Sequence, residues 1–541
     1  MELLENLPGL ETVLADLQRQ DVVRRIWQGD HTLWKPDPRE ITDRLGWLTV
    51  ADAMRVQLPG LLKWAGEVKD AGFRQVVLLG MGGSSLGPEV LRQTFGSAPG
   101  YPQLIVLDST APAWVQSVTD AIDPARTLFL VSSKSGSTIE PNAFYAHFRG
   151  LVESAVGQDR AGQHFVAVTD PGTVLETLAG AANFRRAFLN PPDIGGRYSV
   201  LSYFGLVPAA LIGLDLARLL DRADQMRRRC GPEKVGQENA GLENPGYWLG
   251  AVMAAAVRQG RDKLTLVTSP SIVGFGLWVE QLLAESTGKE GTGIIPIAGE
   301  PLLPAESYGQ DRLFVYLRLE GDDNPAVDSA LQRLQGSGHP VVRLNWQDRY
   351  DLGAEFFRWE FATAVAGAAL GINPFDQPDV QSAKDQTDQV LGQYQTTGKL
   401  PPTASAGSVS SLLRQVKPGD YLAIMVYGHQ TPQLDETLQS LRRRVMERHQ
   451  IATTLGYGPR FLHSTGQMHK GGPNSALFLQ IAVEHQQDIP IPGYPFTFSV
   501  LNHAQSLGDF QALQSAGRRA RRVNLGTDAE AGVARLLGEL A

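Results

Sequence analysis

QVVLLGMGGSSLGPEVL, from Gln75 to Leu91, joins an apolar run to a loop of glycines and serines and then to the start of a helix. Four apolar residues in unbroken succession, without polar alternation, read as a strand buried on both faces. QLIVLD (Gln103 to Asp108), TLFLVSS (Thr127 to Ser133) and HFVAVTD (His164 to Asp170) repeat the unit, set apart by helical stretches. Strands alternating with helices in this way predict an α/β fold, a doubly wound parallel sheet over residues 46–225.

The pattern resumes after the Gly/Asn/Pro-rich stretch GQENAGLENPGY (Gly236 to Tyr247). KLTLVTSP from Lys263, RLFVYLRL from Arg312 and PVVRLNW from Pro340 are strands, and GFGLWVEQLLAEST from Gly274 and EFFRWEFATAVAGAALG from Glu355 are helices. A second α/β domain is therefore expected over 226–395. GQYQTTGKLPPTASAGSVSS, from Gly392 to Ser411, reads as a linker. Beyond it lies a C-terminal α/β extension, 396–541, with strands at DYLAIMVYG, SALFLQI and RRVNLG. Whether they form a third domain or extend the second sheet is open from the sequence. Leu3, Leu4, Leu7 and Leu10 give residues 1–45 a weak helical spacing, suited to a segment packed on a larger body.

The chain has 541 residues, with 49 Lys+Arg against 57 Asp+Glu, a net charge of −8. With 43% hydrophobic and 20% charged residues, the composition excludes wholesale disorder, collagen-like repeats and a coiled-coil rod. Cys230 is the sole cysteine, which rules out an intramolecular disulfide and fits a reducing cytoplasm. Glu2 and Glu5 stand where a signal peptide carries positive charge. The most apolar stretch, Val200 to Leu216, contains Gly205 and Pro208 and is shorter than the roughly 20 residues of a spanning helix. It reads as a buried helix, and no membrane partner is expected. Arg442 to Arg444 and the Arg518–Arg522 cluster sit in charged stretches and read as solvated faces, so no nucleic-acid partner is expected either.

Two loops carry ligand chemistry. In the first, Gly83 lets the backbone approach a ligand, Ser84 and Ser85 supply hydroxyls, and the following helix presents free amides, all of which suit an anion. A phosphate is the leading reading; a plain tight turn and a dinucleotide site, with Asp108 on the ribose, are the others. Against the dinucleotide, Ser85 fills the third glycine position and Asp108 lies farther on than the usual spacing of roughly 20 residues. The second loop, SSKSGSTIEPNAF from Ser132 to Phe144, offers Ser133, Lys134, Ser135, Ser137 and Thr138 before a helix start. Hydroxyls, an ammonium and a helix N-terminus together match phosphate oxygens. The plainer alternative is a capping cluster, with Ser137 and Glu140 forming a capping box. Both loops follow strands, and ligands of open α/β sheets bind at the carboxyl ends of strands.

Within GFGLWVEQLLAESTGK, Gln281 and Glu285 are four apart and share a helix face. Glu285 falls in the last turn, where the negative end of the helix dipole should raise its pKa, a useful property in a base that collects a carbon-bound proton. The alternative is a surface Glu285–Lys289 pair.

The pair GMGGSSLGP and SKSGSTIE resembles the sugar isomerase (SIS) domain. Four further features, GGRYS (Gly195 to Ser199), VEQLLAESTGK (Val279 to Lys289), GINPFDQP (Gly371 to Pro378) and Lys384, resemble the glucose-6-phosphate isomerase family in the family's own order. The resemblance covers roughly residues 75–390 and implies two SIS domains, no metal, no organic cofactor, and an aldose–ketose isomerase of glucose 6-phosphate and fructose 6-phosphate acting through a cis-enediol. It also implies a small sugar-phosphate substrate and a homodimer with shared active sites. Glu285 would move the proton between C2 and C1, Arg197 would stabilise the enediolate, and Lys384 would assist at the ring oxygen. Gly83, Ser84, Ser133, Lys134, Ser135, Thr138, Gln281 and Gln377 would hold the sugar phosphate. Gln377 precedes Pro378 and lies seven residues before Lys384, two turns along one helix face.

Two departures stand out. The family's ring-opening histidine, in a GQH segment contributed by a neighbouring subunit, aligns with SYGQDRLFVY and so with Asp311. A later loop, RFLHSTGQMHKGGPNS, carries His463 and His469 among glycines and hydroxyls and is the favoured source of that group, His469 slightly ahead. In FDQPDV, Asp379 replaces the family's small residue. The extended C-terminus resembles a bacterial branch whose members occur alone or fused to transaldolase. The motifs begin by residue 80, which leaves no room upstream for a barrel of about 250 residues. A non-catalytic sugar-phosphate sensor built on SIS modules and a nicotinamide-dependent oxidoreductase are the rival functions.

Overall fold

The computed structural model describes residues 7–232, 243–401 and 408–540, so residues 236–242 of the first Gly-rich stretch and 402–407 of the second lie outside the described residues. Leu3 and Leu4 of the N-terminal segment lie outside them too, while Leu7 and Leu10 are buried in the core as expected. Three parallel sheets carry the fold. The first has the order β2-β1-β3-β4-β5, built from Gln75–Gly80, Gln103–Leu107, Thr127–Ser132, Phe165–Thr169 and Arg186–Leu189 in chain order from β1 to β5. The unbroken apolar runs are explained by its two covered faces. Val76 and Leu78 of β1 belong to one core, shared with Leu128, Leu130, Val166 and Val168. Val77 and Leu79 belong to the opposite core, with Phe129, Val131 and Phe165.

The second sheet, β7-β6-β8-β9, uses Lys263–Thr268 (β6), Ile295–Ile297 (β7), Arg312–Leu319 (β8) and Val341–Trp346 (β9). The C-terminal strands do not extend it. Tyr421–Tyr427 (β10), Ala452–Tyr457 (β11), Ala476–Ala482 (β12) and Arg519–Asn524 (β13) form a separate sheet in the order β11-β10-β12-β13. Its alternate faces bury Leu422, Ile424 and Val426 on one side and Tyr421, Met425 and Tyr427 on the other. All three sheets therefore repeat one strand order, in which the chain leaves the first strand toward one edge and returns to build outward on the other side.

Six helices position the site: α1 Ile139–Val156, α2 Phe275–Thr287, α3 Asp351–Leu370, α4 Gln381–Thr397, the short α5 Gly466–Gly471, and α6 Phe498–Ser515. Helix α3 is buried along most of its length and lies in the core shared by the first two sheets. The expected boundary at 225/226 falls inside the helix Leu216–Arg229, and that at 395/396 falls inside α4. The apolar stretch from Val200 contains the wholly apolar-lined helix Tyr203–Leu211, buried as expected apart from Tyr203. No helix among the described residues is long and apolar enough to cross a membrane.

The third sheet is fastened to both others by polar contacts. Arg460, just after β11, makes two 2.8 Å bonds to the Asp108 carboxylate at the end of β2. Asp108 is therefore occupied, which removes the ribose role considered for it. Arg442 donates to the carbonyls of Gly299 (2.6 Å) and Ala298 (3.1 Å), just past β7. Arg442 is 1% exposed and Arg522 is 3% exposed, so neither belongs to the solvated faces expected of the arginine clusters.

Candidate active site

The strand order of the first sheet reverses between the parallel strands β1 and β3, the position at which open α/β sheets bind ligands. The loops 80–85 and 132–138 leave the carboxyl ends of these two strands. Close approach dictates the glycines of the first loop: a Cβ on Gly83 would stand 2.0 Å from the Gly196 carbonyl oxygen, and one on Gly82 would stand 2.7 Å from that of His463. The Gly80 loop, the GGRYS turn and the His463 loop thus meet at one point.

In the second loop the hydroxyls bond one another. Ser133 Oγ donates to Thr138 Oγ1 (3.2 Å) and Ser137 Oγ to Ser135 Oγ (3.1 Å). Lys134 directs its ammonium to the Asp170 carboxylate and the Pro192 carbonyl. The capping box does not form: Thr138 is the residue preceding α1, with no side-chain cap. Glu140 instead turns inward.

At the other side of the cleft stands α2. Glu285 is 9% exposed, so it is not the surface partner of Lys289. Its Oε2 accepts a 3.1 Å bond from Gln281 Nε2 and lies 3.6 Å from Arg197 Nη1. Burial raises the Glu285 pKa above the ordinary value, with Arg197, His463, Gln281 and Lys289 pulling it back. Desolvation is thus the leading cause of the raised value. Gln281 Nε2 also donates to the His463 carbonyl (2.9 Å), while its buried Oε1 has no partner.

Arg197 is held from four directions. Nε donates to Ser286 Oγ (2.7 Å), Nη1 to Gln377 Oε1 (2.8 Å), and Nη2 to the carbonyls of Pro374 (2.7 Å) and Asp376 (2.9 Å). Lys289, itself 2% exposed, donates to the Asn373 carbonyl (2.7 Å) and to both the carbonyl (2.6 Å) and carboxylate (2.5 Å) of Asp376. Gln377 therefore faces Arg197. It precedes a 3₁₀ turn, Pro378–Val380, that is separate from α4, so Gln377 and Lys384 do not share a helix face. Lys384 is exposed, and its charge helps to hold the Glu140 carboxyl down.

The three candidates for ring opening have different surroundings. His463 Nε2 lies 2.9 Å from Glu140 Oε1. That oxygen also accepts from Gln505 Nε2 of α6 at 2.7 Å. Burial works against Glu140 ionisation, yet His463, the local backbone and Lys384 together more than offset it and the carboxyl lies below its usual value. His469 faces away, 4% exposed, beside Phe461 and Phe478, and burial drives its pKa well down. Asp311 lies elsewhere, with its carboxylate 3.2 Å from Lys263 Nζ. Glu140 and Lys289, read from the sequence as a capping residue and a surface ion-pair partner, are neighbours of the site, as are Asp376 and Gln505, which have no role in the sequence reading. Among the described residues no cluster of three or more His, Cys, Asp or Glu forms a metal site.

A family model described as phosphoglucose isomerase matches residues 56–292. The glucose-6-phosphate isomerase of Rubrobacter xylanophilus is 32% identical over 390 residues, 62% of this chain and 87% of the relative. The chain belongs to the glucose-6-phosphate isomerase family. The glucose-6-phosphate isomerase of Staphylococcus saprophyticus is 28% identical over 419 residues, 69% of this chain and 92% of that protein. In fold, the chain is similar to the crystal structure of a glucose-6-phosphate isomerase from Chlamydia trachomatis (TM-score 0.60, 20% identity, 72% of this chain and 87% of that one). A hypothetical protein of Thermus thermophilus gives TM-score 0.59 at 25% identity, over 72% of this chain and all of that one. Within this glucose-6-phosphate isomerase family member, the family-model match ends shortly after α2, whereas His463 and Gln505 come from beyond residue 408, on the side of the third sheet.

Proposed function

We propose that Glu285 is the base of an aldose–ketose isomerase that interconverts glucose 6-phosphate and fructose 6-phosphate. The reading rests on one observation: a buried carboxylate set between the Arg197 guanidinium and the Gln281 amide, the same amide also holding the His463 carbonyl. His463 opens the ring, moving a proton from the C1 hydroxyl to the ring oxygen as the C1–O5 bond breaks. Glu140 fixes the orientation of its imidazole. Lys384, exposed and close enough to Glu140 for its charge to act there, assists at the ring oxygen.

Glu285 then takes the proton from C2 and returns it to C1, while the accompanying proton passes from O2 to O1. A carboxyl whose pKa is raised by burial binds that proton more readily than an exposed one. The fixed charge of Arg197 opposes the negative charge of the enediolate without having to move. Ser84, Ser133, Ser135 and Thr138 take the phosphate, with Lys134 adding positive potential, and the unpartnered Gln281 Oε1 accepts from a sugar hydroxyl. Gln377 orients Arg197. The base and the arginine, which a non-catalytic sensor has no need to keep, are both present.

We propose further that each sheet with its helices is one domain, that the enzyme works in the cytoplasm, where the lone buried Cys230 stays reduced, and that it forms a homodimer. His463 meets Glu140 and Gln281 of its own chain, so, in place of the sharing that the family resemblance implies, His463 is proposed to serve the site of its own chain. Glu285→Gln is expected to retain sugar-phosphate binding while C2 proton exchange into deuterated water falls at least a thousandfold. Turnover within tenfold of the wild type would remove Glu285 from the mechanism.

A further inference from the structure

Asp379, just after Gln377 and Pro378, packs against the third sheet's short helix α5. Gln467, on α5 four residues after His463, is fully buried. Its Oε1 accepts the Asp379 backbone N–H (2.8 Å), and its Nε2 donates to Asp379 Oδ2 (2.6 Å) and to the Gly288 carbonyl (3.0 Å). Gly291 N–H closes the seam by donating to the Gly471 carbonyl at 2.9 Å. A Cβ on Gly471 would stand 2.2 Å from Asp379 Oδ2, so the backbone of α5 is pressed against this carboxylate.

One amide thus ties three segments that carry the chemistry. Asp379 lies two residues after Gln377, which holds Arg197. Gly288 lies three residues after Glu285, at the end of α2. Gln467 itself continues the loop whose His463 carbonyl rests on Gln281. We propose that Gln467, gripping Asp379, is a positioning residue that seats the His463 loop of the third sheet over the Glu285 cleft. The inference rests on the reading of His463 as the ring-opening group. A buried side-chain amide with both ends engaged suits this task, since any shift of α5 leaves a donor and an acceptor unpaired without water to replace them.

The test separates ring opening from ligand binding. Enzyme-catalysed exchange between the α and β anomers of glucose 6-phosphate, followed by NMR, reports opening and closing of the ring. Affinity for 6-phosphogluconate, an open-chain acid, reports the remainder of the cleft. Gln467→Leu and Asp379→Ala should each slow anomer exchange at least tenfold and change that affinity less than threefold. Asp379→Asn keeps an acceptor for Gln467 Nε2 and should restore exchange to within threefold of the wild type. If Gln467→Leu fails to fold, the Asp379 pair carries the comparison. Exchange left intact in Asp379→Ala while His463→Ala is slow would overturn the positioning role and leave the ring-opening role standing. Exchange left intact in His463→Ala would overturn the ring-opening role and with it any action through His463. Equal losses of exchange and affinity would reduce Gln467 to a structural residue and overturn the inference.

Discussion

Lys289 and Arg197 share an acceptor. The Asp376 carbonyl takes a 2.6 Å bond from Lys289 Nζ and a 2.9 Å bond from Arg197 Nη2, so the lysine holds in place the backbone that holds the arginine.

Burial lowers the Lys289 pKa to about 8, Arg197 adds to the effect, and Asp376 and Glu285 oppose it. As pH rises through this value the ammonium is lost, and with it the ion pair to Asp376. Turnover should therefore fall on an alkaline limb with an apparent pKa near 8. Lys289→Met should lower kcat roughly tenfold, with little change in KM, and abolish that limb; a pH–rate profile of the two proteins decides. Folding stability moves the other way. A lysine whose folded pKa is depressed makes its contribution to stability rise between pH 8 and the unfolded value, because the unfolded chain then holds the extra proton.

Arg460 and Asp108 form a buried pair, the carboxylate fully enclosed. Arg460→Ala leaves that charge without its partner and should cost about 3–5 kcal/mol of stability. Asp108→Asn in the same chain should recover a large part, because it removes the stranded charge. Denaturant melts of the wild type and the three variants give the coupling directly.

Glu280 sits on α2 beside the third sheet, and burial raises its pKa to about 7 despite Arg442 and Arg460. The folded protein keeps this proton between pH 4.5 and 7 while the unfolded chain releases it. The group therefore costs stability progressively across that window, up to about 3 kcal/mol above pH 7. Glu280→Gln should raise the melting temperature at pH 8 and leave it nearly unchanged at pH 4.5. A gain of equal size at both pH values would show that ionisation is not the cause.

The central strands were legible because burial on two faces leaves unbroken apolar runs. The three strands that sequence reading missed, β5, β7 and β11, are all edge strands. RAFL in β5 is largely exposed, IPI in β7 has three residues, and ATTLGY in β11 is rich in Thr and Gly. β5 and β11 have a neighbour on one side only, so their sequences are less constrained toward continuous apolar residues, while β7 is apolar but too short to stand out. In the site, Gln281 and Glu285 were readable because helical spacing places them on one face. His463 and His469 were not separable, since the turn before Gly466 changes the direction of the chain between them. Glu140 was obscured by a local capping pattern, and its partners lie more than 300 residues away.

Glu285 and His463 lie on one polypeptide, and this has a genetic consequence. Where two protomers lend each other side chains, mixing two inactive mutants regenerates some intact sites. Here a chain with Glu285→Gln and a chain with His463→Ala each carry their own defect at every site, so co-expression should yield no complementation. On the proposed roles, one gene copy carries both the base and the ring-opening group, and either lesion is recessive only to a whole wild-type copy.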